Sequence, residues 1–134
     1  MTGGQNGGPP RFKLTTPLEP PYIATARMFA ASLARQFDLP EDTIEDLKLA
    51  MSEACARAVA TGGKDGRLDV AAERRGDRLV FEVVQGSGSL AEGGEVATDS
   101  MEAALHLELI GALFDDAESV AGPDGAQVIR FSAA

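Results

Sequence analysis

Tryptophan is absent from this sequence, tyrosine and histidine occur once each, and Cys55 is the single cysteine. One thiol excludes an internal disulfide, and one histidine, His106, with no cysteine near it leaves no zinc-ligand set. Aromatic residues make up 5% of the chain within an apolar fraction of 44%, so a core must be filled mainly by Ala, Leu and Val. Positive charge is also scarce, with 12 Lys and Arg against 21 Asp and Glu for a net charge of −9. Such a surface repels phosphate backbones, which argues against direct nucleic-acid binding and for a basic protein partner. No apolar run approaches the roughly 20 residues of a membrane span. Met1–Pro10 (MTGGQNGGPP) lacks the basic-then-apolar pattern of a signal peptide, so the expected location is the cytoplasm, with no membrane partner.

What is present is length and periodicity. A chain of 134 residues fits one domain and can bury about two thirds of the surface it exposes when unfolded. Residues 1–10 have almost nothing to bury and read as a flexible tail, leaving 11–134 as the domain. Arg11–Thr16 alternates, with Phe12 and Leu14 on one face, and predicts a strand. Pro17, Pro20 and Pro21 then break the chain. From Tyr22 to Phe37 the positions Tyr22, Ala26, Phe29, Leu33 and Phe37 form one helical stripe.

A second helix follows. Pro40 suits its first turn, and Glu41, Asp42, Glu45 and Asp46 suit the positive end of its dipole. Ile44, Leu47, Met51, Ala54 and Ala58 form its buried stripe, and Gly62 and Gly63 are expected to end it with a left-handed cap. Leu68–Ala72 and Leu79–Val83 alternate as strands around the turn Arg74–Arg78 (RRGDR), whose Arg-Gly-Asp reads as turn chemistry and not as an adhesion signal. Gly86–Ser100 is poor in large apolar residues and reads as a loop or flap. A third helix is expected over Met101–Phe114 with Leu105, Leu109, Ile110, Leu113 and Phe114 inward. Two last strands near Ser119–Ala121 and Gln127–Ser132 flank the turn Gly122–Gly125. This order predicts a two-layer α+β sandwich, a mainly antiparallel sheet with about three helices on one face.

Four stretches in this order resemble the anti-sigma-factor serine kinases of the GHKL (Bergerat-fold, histidine-kinase-like) ATPase superfamily, across roughly Phe12–Phe131. In that family a helix carries a glutamate base four residues before an asparagine that holds Mg²⁺. The matching stretch is Ser52–Val59 (SEACARAV), in which Glu53 matches the base and Arg57 stands at the asparagine position. A guanidinium offers only donors, so Arg57 cannot ligate Mg²⁺, although it can meet a phosphate. The spacing also allows a plain surface ion pair between Glu53 and Arg57, worth a few tenths of a kcal/mol.

The family's second motif is an aspartate that reads the adenine, followed by spaced glycines. Here Gln85 takes the aspartate position, with Gly86 and Gly88 supplying glycines after a one-residue slip. The third is Gly-x-Gly before the last helix, where the helix N-terminus receives phosphates. Its counterpart, Ala104–Leu105–His106–Leu107, has lost both glycines, and His106 reads as a solvated helix residue. Beyond the motifs, Leu109–Ile110, Leu113–Asp116 and Gly125 follow the family's spacing.

The resemblance therefore implies a non-enzymatic anti-sigma factor or partner-switching regulator with a degenerate ATP site and no cofactor. It would bind a sigma factor, compete with an antagonist of the STAS type and form a homodimer. Arg27, on the first helix, matches the family's partner-binding arginine. The alternatives are an active ATP- and Mg²⁺-dependent serine kinase, with Glu53 as base and Arg57 neutralising phosphate, and a scaffold that only dimerises. Cys55 reads as a small packing residue.

Overall fold

The computed structural model describes residues 10–62, 65–86, 100–121 and 127–134. Nearly all of the expected tail, most of the flap with Gly88, and the turn bearing Gly125 lie outside the described residues. The chain forms β1 (Arg11–Pro17), a 3-10 turn (Pro20–Tyr22), α1 (Ile23–Gln36), α2 (Glu41–Thr61), β2 (Arg67–Arg75), β3 (Arg78–Gly86), α3 (Ser100–Leu113), β4 (Glu118–Ala121) and β5 (Gln127–Ala133). The sheet has five strands in the order β1-β2-β3-β5-β4, and every pairing is antiparallel. The predicted α+β architecture is what the chain adopts.

Local chemistry explains the elements. The hairpin β2–β3 closes with Arg75 opposite Arg78 over the two residues Gly76 and Asp77. Gly76 has φ +61°, which a tight hairpin needs at its first central position and glycine adopts without strain. Alternation then places Leu68, Val70 and Ala72, Leu79, Phe81 and Val83, and Ile129 and Phe131 in the core. On the opposite face charges pair across strands: Arg11 with Glu73 at 3.2 Å, and Arg130 with Glu82 at 2.9 Å and Glu118 at 3.1 Å. The hydrogen bond to Glu82 raises the Arg130 pKa above its ordinary value, so that guanidinium stays charged.

Helix α2 is the middle helix and packs on both α1 and α3. Pro40 is its N-cap and not part of its first turn; its carbonyl accepts from Ile44 N at 3.0 Å. Ile44, Leu47, Met51, Ala54 and Ala58 are buried, as the stripe predicted, and Ala50 and Cys55 are buried beside them. The stripe on α1 needs correction. Its buried residues are Ala26, Ala30, Ala31, Leu33 and Ala34, while Tyr22, Phe29 and Phe37 are only half-buried. Alanines let α1 approach α2 closely, and the rings lie along the margin. Phe37 there meets Phe12 edge-on at 6.1 Å beneath the Arg74 guanidinium. The turn leaving α1 puts Asp38 at φ +61°, with Asp38 N donating to Arg35 O and Leu39 N to Ala34 O, a Schellman closure.

Gly63 lies outside the described residues, and Gly62 does not supply a left-handed cap. Its backbone is extended (φ −82°, ψ 159°), and the need for glycine is steric. A Cβ built there would lie 1.9 Å from Leu18 Cδ2 and 2.9 Å from the Ala58 carbonyl oxygen. Gly62→Ala is therefore expected to destabilise the fold by about 1–3 kcal/mol, an overpacking cost. Urea denaturation would measure it, and an unchanged midpoint would contradict the close approach.

Helix α3 carries the largest departure. Ile110 is buried and Leu107, Leu113 and Phe114 pack against the core, but Leu105 and Leu109 are exposed and His106 is half-buried. The helix is apolar nearly all round, so periodicity could not say which side faces inward. It runs through Ala104–Leu107, as the expected span Met101–Phe114 implies. Alanine in place of glycine favours helix by about 1 kcal/mol, so Ala104 suits a helix at the position where the resemblance puts a glycine.

Candidate functional site

Along α2, Glu53, Arg57 and Thr61 recur every four residues and share one face. Arg57 and Thr61 look onto the ends of β3 and β5. The Arg57 guanidinium donates to Gln127 Oε1 at 3.3 Å and to Ser119 Oγ at 3.4 Å. The Thr61 hydroxyl donates to Gln85 Oε1 at 2.8 Å and lies 3.0 Å from the Arg57 carbonyl. Gln85 is 8% exposed, so a burial cost is met by that bond. Ala54, Ala58, Val83 and Ile129 complete the lining, and the space left among these side chains is about 10 Å³. That is room for about one water molecule.

Glu53, one turn earlier on the same face, reaches the neighbouring helix instead. Its Oε1 lies 2.7 Å from His106 Nδ1 on α3, with both side chains largely shielded from solvent. The imidazole N–H donates and the carboxylate accepts, which ties α2 to α3. The ion pair with Arg57 that the spacing allows is not among those of the described residues, and His106 is half-buried instead of solvated. The reason is tertiary: the inward turn of α3 brings His106 to Glu53, while Arg57 reaches strands that arrive much later in the sequence.

The structure thus brings Arg57 and Gln85 together and sets Glu53 apart from them. Gly86 is buried at the end of β3, where an added Cβ would come within 3.2 Å of the Arg67 side chain. Arg27 is half-buried; its Nη1 donates to Ser52 Oγ at 3.2 Å, and Ser52 donates onward to the Lys48 carbonyl at 3.0 Å. Sequence reasoning missed Thr61, Ser119 and Gln127. The four-residue step from Glu53 through Arg57 pointed to Thr61, but nothing local pointed to the two strand residues.

Residues 16–131 match the model of the histidine kinase-like ATPase domain. The chain belongs to that family. Among curated relatives it is similar to proteins named serine-protein kinase RsbW. The one from Halalkalibacterium halodurans is 25% identical over 122 residues, covering 82% of this chain and 75% of the relative. Those from Bacillus velezensis and Bacillus subtilis are 28% and 27% identical over 119 residues, each covering 78% of this chain and 74% of the relative. Within this histidine kinase-like ATPase domain, the face of α2 that carries Glu53 and Arg57 is the face the resemblance assigns to nucleotide.

Cys55 lies beside that face but points into the core, fully buried, and burial pushes its thiol from the ordinary 9.0 up to about 12. A thiol reagent at pH 8 is expected to modify it only as fast as the domain unfolds. The sign of the pH effect follows. The folded state keeps the proton where the unfolded chain gives it up, so this contribution to stability is intact below pH 9.0 and is lost as pH rises toward 12. Denaturation midpoints of the protein and of Cys55→Ala, compared across that range, would show it. No helix among the described residues is long and apolar enough to cross a membrane, and no group of His, Cys, Asp and Glu among them has the arrangement of a metal site.

Proposed function

We propose that this chain sequesters a sigma factor by protein–protein binding, in the partner-switching manner, and transfers no phosphate. The observation that carries the reading is Arg57. It occupies the position of the Mg²⁺ ligand, offers no lone pair to a cation, and hydrogen-bonds Gln127 and Ser119 across the cleft. Glu53, which matches the family's base, is engaged by His106. These residues do not fit Mg-ATP. In this reading a STAS-type antagonist releases the sigma factor by competition, and an acidic surface of net charge −9 suits a partner whose basic patches face DNA. The protein acts from the cytoplasm, as a homodimer.

The name of its relatives favours a second reading, an active serine kinase. There Glu53 would take the proton of the antagonist's serine hydroxyl, which requires the carboxylate to leave His106. Calorimetry with ATP, with and without Mg²⁺, separates the two. The first reading expects a dissociation constant weaker than about 1 mM, less than about 4 kcal/mol of binding, and no Mg²⁺ dependence. A Mg²⁺-dependent constant in the low micromolar range would overturn it and establish the kinase.

A further inference from the structure

Four large apolar side chains are exposed among the described residues: Met28 (69%), Leu49 (53%), Leu105 (55%) and Leu109 (44%). Scattered singly they would need no explanation, but they converge. At about 100° per residue, Leu49 points outward from α2 between Ser52, about 60° to one side, and Glu53, about 40° to the other. Ser52 meets Arg27 on α1, the residue next to Met28, and Glu53 meets His106 on α3. Leu105 and Leu109 flank His106 within one turn. The four side chains therefore open on the outer surface of the three helices, with Leu49 on the middle one.

On α2 and α3 the rim of this surface carries acidic side chains, and Arg27 stands at its α1 edge. Asp42 and Asp46 are exposed on α2 within about 60° of the direction of Leu49, and Glu108 is exposed between Leu105 and Leu109. None of the three forms an ion pair with another described residue. A second copy of the chain is a poor occupant of this face, because each copy carries the same acidic side chains at it.

We infer that the outer face of α1, α2 and α3 is a docking surface for a basic amphipathic helix of a partner protein. Its apolar stripe covers Met28, Leu49, Leu105 and Leu109, and its lysines or arginines meet Asp42, Asp46 and Glu108. The inference rests on the reading of this protein as one that grips a partner, and it adds where and by what chemistry.

The test uses the full chain with methyl-labelled Met and Leu, titrated with a synthetic leucine/lysine amphipathic helix and, separately, with its leucine/glutamate counterpart. The leucine/lysine peptide is expected to shift the methyl signals of Met28, Leu49, Leu105 and Leu109 above those of the other labelled residues. The leucine/glutamate peptide is expected not to bind. Leu49→Ser with Leu109→Ser removes exposed side chains only, so the fold should persist, and binding is expected to weaken by about tenfold or more. Shifts centred elsewhere, equal binding of both peptides, or undiminished affinity of the double variant would overturn the inference. Self-association abolished by the double variant would also overturn it, by assigning the face to a second copy. Sigma-factor binding is assayed separately. Its failure would refute the function proposed above while leaving the mapped surface, and failure of the peptide to map here would refute the surface alone.

Discussion

Phe131→Ala is expected to cost about 3–5 kcal/mol, the range for deleting a buried aromatic ring. Phe131 is fully buried, and its ring stacks between Phe81, at 5.8 Å and 23°, and Phe114, at 5.5 Å and 19°. Removing it takes a stacking partner from two rings at once and leaves a cavity where β3, β5 and the end of α3 meet. For a domain of ordinary stability, about 5–15 kcal/mol, such a loss is a large fraction of the whole. A fall in melting temperature of roughly 10–20 °C follows for a domain of this size. Phe12→Ala is the internal comparison, because Phe12 is half-buried and touches Phe37 only edge-on at 6.1 Å. It should cost clearly less. Thermal and urea denaturation of the two variants check this, and equal losses would mean that the aromatic stack is not the centre of the core.

The second large effect concerns binding. If Arg27 contacts the sigma factor, Arg27→Glu is expected to weaken the complex by about 2–5 kcal/mol, roughly thirty-fold to several thousand-fold, by placing the wrong charge at the interface. Arg27 also holds Ser52, so a structural explanation has to be separated. Ser52→Ala removes that hydrogen bond and keeps the guanidinium, at about 0.5–1.5 kcal/mol of fold stability. The proposed role expects Ser52→Ala to bind almost as the parent does. Glu53→Ala should likewise leave the complex intact, since it removes a contact to His106 on the other side of α2. Surface-plasmon measurements on the three variants decide the matter. Parallel losses in Arg27→Glu and Ser52→Ala would mean that α1 is merely displaced. If Glu53→Ala abolished labelled-phosphate transfer that the parent protein performs on the antagonist, the main reading would fail outright.

The sequence by itself determined the elements and their order. Alternation at Leu68–Ala72 and Leu79–Val83, the Gly-Asp turn between them, and the four-residue steps of α2 depend only on near neighbours, and near neighbours set local periodicity. It also determined that Arg57 is no Mg²⁺ ligand, because a guanidinium offers only donors wherever it stands. Three things were decided only by tertiary structure. Four alanines and Leu33 form the fully buried face of α1, with Phe29 and Phe37 packed at its edge, because close packing against α2 selects small side chains. The inward side of α3 is that of His106 and Ile110, because a helix apolar all round leaves the choice to what it packs against. The partners of Glu53 and Arg57 come from α3, β4 and β5, more than fifty residues away in the chain. A spacing rule between positions four apart cannot anticipate contacts that exist only once the sheet has closed with β5 between β3 and β4.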